Sequence, residues 1–165
     1  MPLISGDEVV FPNNIINIME TRFNQLWPDT KTFQRPLAKE DNSETIGIYP
    51  SLWTPNLESM EISGVSPGEP TLSDYLIMVQ CFIKDSDRER GAAKHSVMAK
   101  RLRNMLYRDT LLRLAFQGIA ITDFGVTESL KKWGCHLQRY FSNEISAGTW
   151  VYLSTLEYYI ETETT

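Results

Sequence analysis

The sequence predicts an α+β domain: a mostly antiparallel sheet, two main helices packed on one of its faces, and a long C-terminal hairpin. Three observations carry this reading. Over Trp150–Ile160 the chain alternates with period two, placing Trp150, Tyr152, Leu156, Tyr158 and Ile160 (with Ser154 between) on one face. Val151, Leu153, Thr155, Glu157, Tyr159 and Glu161 fall on the other, which turns acidic towards its end. Such alternation in aromatic and β-branched residues is the mark of a half-buried strand. Second, Leu72–Lys84 carries Tyr75, Ile77, Val79, Cys81 and Ile83 on one face and Leu76, Met78 and Phe82 on the other. A strand apolar on both sides belongs inside a sheet covered on at least one face. Third, Arg88–Tyr107 places His95, Met98, Ala99, Leu102, Met105 and Leu106 at the i, i+3, i+4, i+7 spacing of an amphipathic helix.

The elements follow in chain order. Met1–Pro12 reads as an arm leading into a helix, which Asn13 or Asn14 can cap. Ile15, Ile16, Met19, Phe23, Leu26 and Trp27 recur at helical spacing as far as Pro28. Pro28–Ser43 is a polar connector containing Pro36 and the charged run Lys39-Glu40-Asp41. Thr45–Tyr49 has strand chemistry and stops at Pro50. Ser51–Ser73 holds Pro55, Pro67, Pro70, Gly64 and Gly68 and reads mostly as loop, with a short edge strand over Glu58–Val65.

After the second strand, Asp85-Ser86-Asp87 ends one element and caps the next. Asp109–Phe116 is a short helix or turn, and Gly118–Thr122 is a strand. Thr127–Trp133 leads into a hairpin whose arms are Trp133–Phe141 and Trp150–Ile160, joined by Ser142–Thr149. A hairpin of this length needs a larger sheet to rest on. At 165 residues, with no repeat, low-complexity tract or linker, the chain 1–165 reads as one domain able to bury about two-thirds of its unfolded surface.

Composition narrows the function. Charged residues at 22% beside 42% hydrophobic exclude a disordered chain, and a net charge of −5 favours neither nucleic acid nor an anionic membrane as main partner. The two cysteines, Cys81 and Cys135, read as reduced, buried groups of a cytoplasmic protein. Met1–Val10 carries Asp7 and Glu8 and no signal pattern, and no apolar run approaches the roughly 20 residues of a membrane span. The expectation is a soluble cytoplasmic product.

Motifs of known chemistry do not emerge. The sequence holds no phosphate loop, no dinucleotide-binding turn and no nucleophile elbow. Cys135-His136 would point to opposite faces of a strand, and two histidines with two cysteines lack metal-ligand spacing. No catalytic residue, metal ligand or cofactor is therefore assigned. His95 is expected at the boundary of the helix core stripe. Asp85, Asp87 and Glu89 suit helix capping and dipole compensation better than cation binding.

One feature exceeds a plain solvated surface. Between Lys84 and Arg113 nine Lys or Arg face four acids, so this window is +5 while the remainder is −10. At about 100° per residue, Arg90, Lys94, Arg101 and Arg108 fall within a sector of about 40°. The stripe is either an ordinary solvated face, a contact with the acidic surface of a second copy, or a salt-sensitive DNA contact. In the second case Glu157 and Glu161 on the last strand are the partners. Leu52, Trp53 and Leu57 lie in the Pro- and Gly-rich loop, where they either dock on a partner or fold back on the core.

The succession resembles the tail terminator proteins of long-tailed bacteriophages of the lambda type. The most similar part is residues 146–163, where the small-Gly-x-Trp turn Ala147-Gly148-Thr149-Trp150 opens a Tyr/Ile-rich strand that ends in the acids Glu161 and Glu163. The pair Tyr75–Lys84 and Arg88–Leu106 is the second match, and the region Pro28–Ser73 is larger than the family pattern needs. The resemblance implies a structural protein without turnover or cofactor. Copies would form a ring, a hexamer in that family, that caps the tail tube, ends its polymerisation and joins tail to head. Its partners would be itself, the tail tube protein and a head–tail connector or neck protein, with DNA only passing through the lumen. Its place would be the head-proximal end of the tail in the virion, and the host cytoplasm during assembly. The alternatives are a head-completion or neck adaptor of the same virion, or a small cytoplasmic enzyme with a site formed by Ser63–Asp74 and Asp85–Glu89.

Overall fold

A computed structural model describes residues 11–38, 41, 44–50, 71–123, 125–146 and 148–165, with the backbone alone for Phe11, Thr71, Ser73, Asp123 and residues 136–146. The chain runs as α1 (Phe11–Leu26), β1 (Lys31–Phe33), β2 (Thr45–Pro50), β3 (Thr71–Asp85), α2 (Arg88–Arg108), α3 (Thr110–Phe116), β4 (Ala120–Asp123), β5 (Val126–Ser146) and β6 (Thr149–Thr164). Six strands form one sheet in the order β1-β2-β3-β6-β5-β4. All neighbours are antiparallel except β1 and β2. The fold class is α+β, as the alternation and the helical spacing predict.

The middle of the sheet is the longest pairing. β3 and β6 stay in register from Thr71↔Thr164 to Asp85↔Trp150. Alternation then sends Ile77, Val79, Cys81 and Ile83 of β3 and Tyr152, Leu156, Tyr158 and Ile160 of β6 to the same face. All eight are buried. Onto this face α1 lays Ile15, Ile16, Met19 and Phe23, α2 lays Ala99, Leu102, Met105 and Leu106, and α3 adds Leu112 and Phe116. Each fully buried aliphatic or aromatic side chain contributes about 1.5–3 kcal/mol. The opposite face has a smaller cluster, in which Leu37 covers Phe82 and Val151. Leu37 is pinned there because its N–H donates to Gln80 Oε1 at 2.8 Å.

The helices are fastened by specific polar contacts. Asp87 caps α2, its carboxylate accepting the Arg90 N–H at 2.8 Å, and Asp109 caps α3 by accepting the Leu112 N–H at 2.8 Å. Asp109 also receives a two-pronged bond from the Arg22 guanidinium at 2.7 and 2.9 Å, which ties α1 to the α2–α3 corner. At the other end of α2, Gly91 lies against the Tyr152 ring. A Cβ there would come within 2.6 Å of it, so only glycine permits this approach. The Tyr152 hydroxyl donates to the Arg88 carbonyl.

Several elements differ from expectation. α1 starts at Phe11 rather than behind an Asn13 or Asn14 cap; Pro12 fits its first turn because that turn lacks N–H acceptors in any case. Leu26 is 36% exposed, since the core-facing stripe of α1 ends at Phe23. The polar connector contains β1, a three-residue strand held by parallel pairing with β2 rather than by any pattern of its own. The eight-residue hairpin connector also shortens. β5 and β6 pair as far as Ser146↔Thr149, leaving a two-residue reversal with Gly148 at φ 77. β5 absorbs the mismatch through register shifts at Leu130/Lys132, Cys135/Gln138 and Glu144/Ser146. The strand expected over Glu58–Val65 lies outside the described residues.

Two expectations test this core. Leu156→Ala should cost about 2–5 kcal/mol in urea unfolding, whereas Val126→Ala, at a site 45% exposed, should stay within about 0.5 kcal/mol. Equal costs at the two positions would mean that the helix-facing side of β6 is misassigned. The Tyr158 hydroxyl is buried with no hydrogen-bond partner among the described residues. Such a group carries an unreturned desolvation cost of about 1–3 kcal/mol, so Tyr158→Phe should leave the urea midpoint unchanged or raise it. A clear fall in the midpoint would reveal a partner.

Candidate subunit interface

The four basic residues of the stripe sit on one exposed flank of α2, but they are not electrostatically alike. Asp85, at the end of β3, has a carboxylate only 5% exposed and meets Arg90 at 2.7 Å and Lys94 at 3.3 Å. The Arg90 hydrogen bonds, followed by the Asp87 N–H, hold the Asp85 carboxyl well below the usual carboxylate range. The first half of the stripe is thus paired within its own chain, two cations sharing one carboxylate. Arg101 and Arg108 lie about two and four turns beyond Lys94. Arg101 is exposed at the edge of a groove, and the Arg108 guanidinium stands 5.1 Å from the centre of the Tyr107 ring.

That groove is what the sequence pattern did not show. It has a volume of about 420 Å³ and lies between the end of α1, α2, and the strands β2 and β3. Trp27, Ile46, Ile83, Val97, Met98 and Leu102 give it apolar walls. Lys94 and Arg101 stand about two turns apart on its α2 side, with Val97 between them. Val97 is 47% exposed, an apolar side chain placed among cations. Across the groove stands Glu44, a non-glycine residue at φ 56. One signal was legible in the sequence: Val97 falls about 20° from the edge of the stripe's sector. The contribution of Trp27, Ile46 and Ile83 depends on tertiary packing and carries no local mark.

Glu157 and Glu161 occupy the other side of the sheet. They stand on β6 facing away from the helices, opposite Met78 and Asp74 of β3, beside Leu76 and Tyr159. This surface is half-buried, apolar and acidic. The Tyr159 hydroxyl donates to Asp74 Oδ1 at 2.6 Å, and this bond pushes the phenol up to about 12. Glu163 pairs with Lys131 at 3.4 Å. The cationic flank of α2 and the acidic side of β6 are therefore on opposite sides of the sheet, not in contact within the chain. Leu52, Trp53 and Leu57 lie outside the described residues.

The residues weighed for chemistry are otherwise committed. Asp85 and Asp87 serve α2 as ion-pair partner and cap, and residues 63–70 of the alternative enzyme site lie outside the described residues. Among the described residues no group of three or more His, Cys, Asp or Glu could hold a metal. Cys135 is half-buried, and burial pushes its thiol up. The His136 side chain is outside the description. His95 is not at the boundary of the core stripe but inside it, 2% exposed, with Nε2 2.9 Å from Ser154 Oγ and 3.9 Å from Cys81 Sγ. Its ring stacks on Tyr152 with centroids 5.9 Å apart. The α2 stripe points straight at the sheet here, and Ser154 supplies a polar partner where alternation would place another large apolar residue. Among the described residues no helix is long and apolar enough to cross a membrane. No protein-family model matches the chain, and no curated protein matches it.

His95 yields a pH expectation. Burial lowers its imidazole from the ordinary 6.5 to about 4. The unfolded chain therefore takes up this proton first. The stability tied to neutral His95 is fully present above pH 6.5 and is lost as pH falls towards 4, by at most about 1.4 kcal/mol per pH unit. Urea unfolding from pH 8 to about 4 should show His95→Gln losing less stability over this window than the parent chain. Parallel curves would mean that His95 is protonated in the fold as readily as in the unfolded chain.

Proposed function

We propose that this protein is a structural component of a virion, a ring-forming tail terminator. Copies assemble head to tail into a closed ring, six in the family it resembles, which caps the tail tube and ends its growth. The other face of the ring offers the surface that joins the tail to the head connector or neck. Its place is the head-proximal end of the tail. The observation that carries this reading is the separation of the two charged surfaces by the sheet. A cationic, grooved flank on α2 and an acidic, apolar strip on β6 face away from each other across one sheet. Unlike surfaces on opposite sides of a subunit cannot satisfy each other internally. They can do so between copies, and repetition of that heterologous contact closes a ring when the rotation permits. The work is done by surface complementarity, without a chemical step.

Arg101 and Arg108 are the residues to test, because Arg90 and Lys94 already serve Asp85. Arg101→Glu combined with Arg108→Glu should leave the unfolding midpoint unchanged while weakening self-association about tenfold, equivalent to about 1.4 kcal/mol. Adding Glu157→Lys with Glu161→Lys should restore part of it. Particle mass by light scattering and tail length by electron microscopy provide the readouts. Normal rings and normal tails from the doubly reversed protein would reduce the flank to a solvated face.

A further inference from the structure

We infer that the α2–α3 corner docks on the outer face of β6 in a second copy of this chain, with Leu111 and Leu114 against Tyr159 and Arg113 against Glu161. The inference rests on the ring reading and names the contact that joins one copy to the next. It starts from an excess of exposed apolar surface. Seven large apolar side chains are exposed among the described residues, and three of them fall within eight consecutive positions: Tyr107 (63%), Leu111 (56%) and Leu114 (54%). Single exposed apolar residues are ordinary, but a group of this kind marks an interaction surface. The core does not need them, because α3 anchors itself through Leu112 and Phe116.

The corner is also cationic. Between Lys100 and Gln117 the sole acid is Asp109, whose carboxylate is taken by Arg22 at 2.7 Å and by the Leu112 N–H. Arg108 and Arg113 border a cleft of about 270 Å³ that Leu106 and Trp133 also line, open above Gly134. This is smaller than the roughly 300–1,000 Å³ of a pocket for a drug-sized ligand, and it suits single side chains. The occupant must then be apolar and acidic together, and this chain carries such a surface. On the outer face of β6, Glu157, Tyr159 and Glu161 succeed one another at about 6.6 Å. Leu72, 44% exposed, and Leu76 stand beside them on β3. Four acids there, Asp74, Glu157, Glu161 and Glu163, outnumber Lys131 and Lys132. The corner lies on the helix side of the sheet and this face on the other, so a chain cannot close the contact on itself. A neighbouring copy can, in the head-to-tail sense that a ring requires.

Light scattering on the full-length chain tests this. Leu111→Ser combined with Leu114→Ser should leave the urea midpoint unchanged, since both side chains are exposed, and weaken self-association by about tenfold or more. Arg113→Glu should weaken it as well, and Glu161→Lys in the same chain should restore part of the loss. This charge exchange leaves the leucines intact, so it decides the matter even where the serine variant does not fold. Parent-like mass from the serine variant and from Arg113→Glu would overturn the corner contact. The ring reading would still stand if Arg101→Glu with Arg108→Glu lowered the mass. Loss in Arg113→Glu with no rescue by Glu161→Lys would overturn β6 as the docking face. Serine-variant rings of normal mass that no longer cap tails would give the corner to the tail tube and overturn the second copy as occupant. So would leucine-dependent sedimentation of the parent with phosphatidylserine vesicles at unchanged mass, which would give the corner to a membrane. A parent chain that stays monomeric at every concentration would overturn both readings together.

Discussion

The fifteen-residue β3 strand paired along its full length with β6 is the constraint on which the rest of the molecule depends. Every other element is placed by it. A one-residue slip would carry Tyr152, Leu156, Tyr158 and Ile160 to the side facing away from the helices and bring Glu157 and Glu161 into the core. The cost of burying two carboxylates makes that slip prohibitive, so the acids that matter for the outer surface also enforce the register of the inner one. The same pairing separates β2 and β5 to either side of a central buried strip. The helices can cover this strip only by lying across it on one face.

α2 is positioned by its beginning more than by its length. Asp85 ends β3, Asp87 caps the helix, Gly91 lets the backbone settle against Tyr152, and the Tyr152 hydroxyl holds the Arg88 carbonyl. Four contacts within one turn fix where the helix starts and how it is rotated. The rotation aims His95 at Ser154 and turns Arg101 outward. It also has an electrostatic result, since Asp85 offsets one of the two charges at the near end of the basic flank, while Arg101 stands exposed at the edge of the groove. The asymmetry of that surface follows from a capping arrangement whose first task is structural.

Much of this fold is legible in the sequence because period-two and period-3.6 patterns report burial directly. The helix-facing side of β6, both strands of the central pair, and the two long helices are read from such patterns. What is not legible depends on partners. Lys31–Phe33 becomes a strand because β2 lies alongside, and the hairpin tightens because β5 tolerates three register shifts. His95 is placed at an edge by its polarity, yet Ser154 makes a buried site for it. The stripe was legible as a line of charge but not as the edge of a groove, since Trp27, Ile46 and Ile83 arrive from three other elements. Asp85 could have been suspected as a partner for Arg90 and Lys94 from its place just ahead of the helix.

In the ring proposed for this chain, the groove and the charges would divide the labour of association between them. Exposed ion pairs contribute about 0–1 kcal/mol each and weaken with salt, so Arg101 and Arg108 alone cannot hold a ring together. Burying a large apolar side chain in an apolar hollow contributes several kcal/mol, at about 25 cal/mol per Å². But an apolar hollow accepts many apolar segments, and by itself it specifies no orientation. Charges at its edge, Arg101 and Glu44 among them, would favour one direction of entry and penalise like-charged intruders. A ring that stops a growing tube, the role proposed for this chain, would need both properties at once. Its contacts have to be strong enough to close a ring and selective enough that the ring does not continue as a filament.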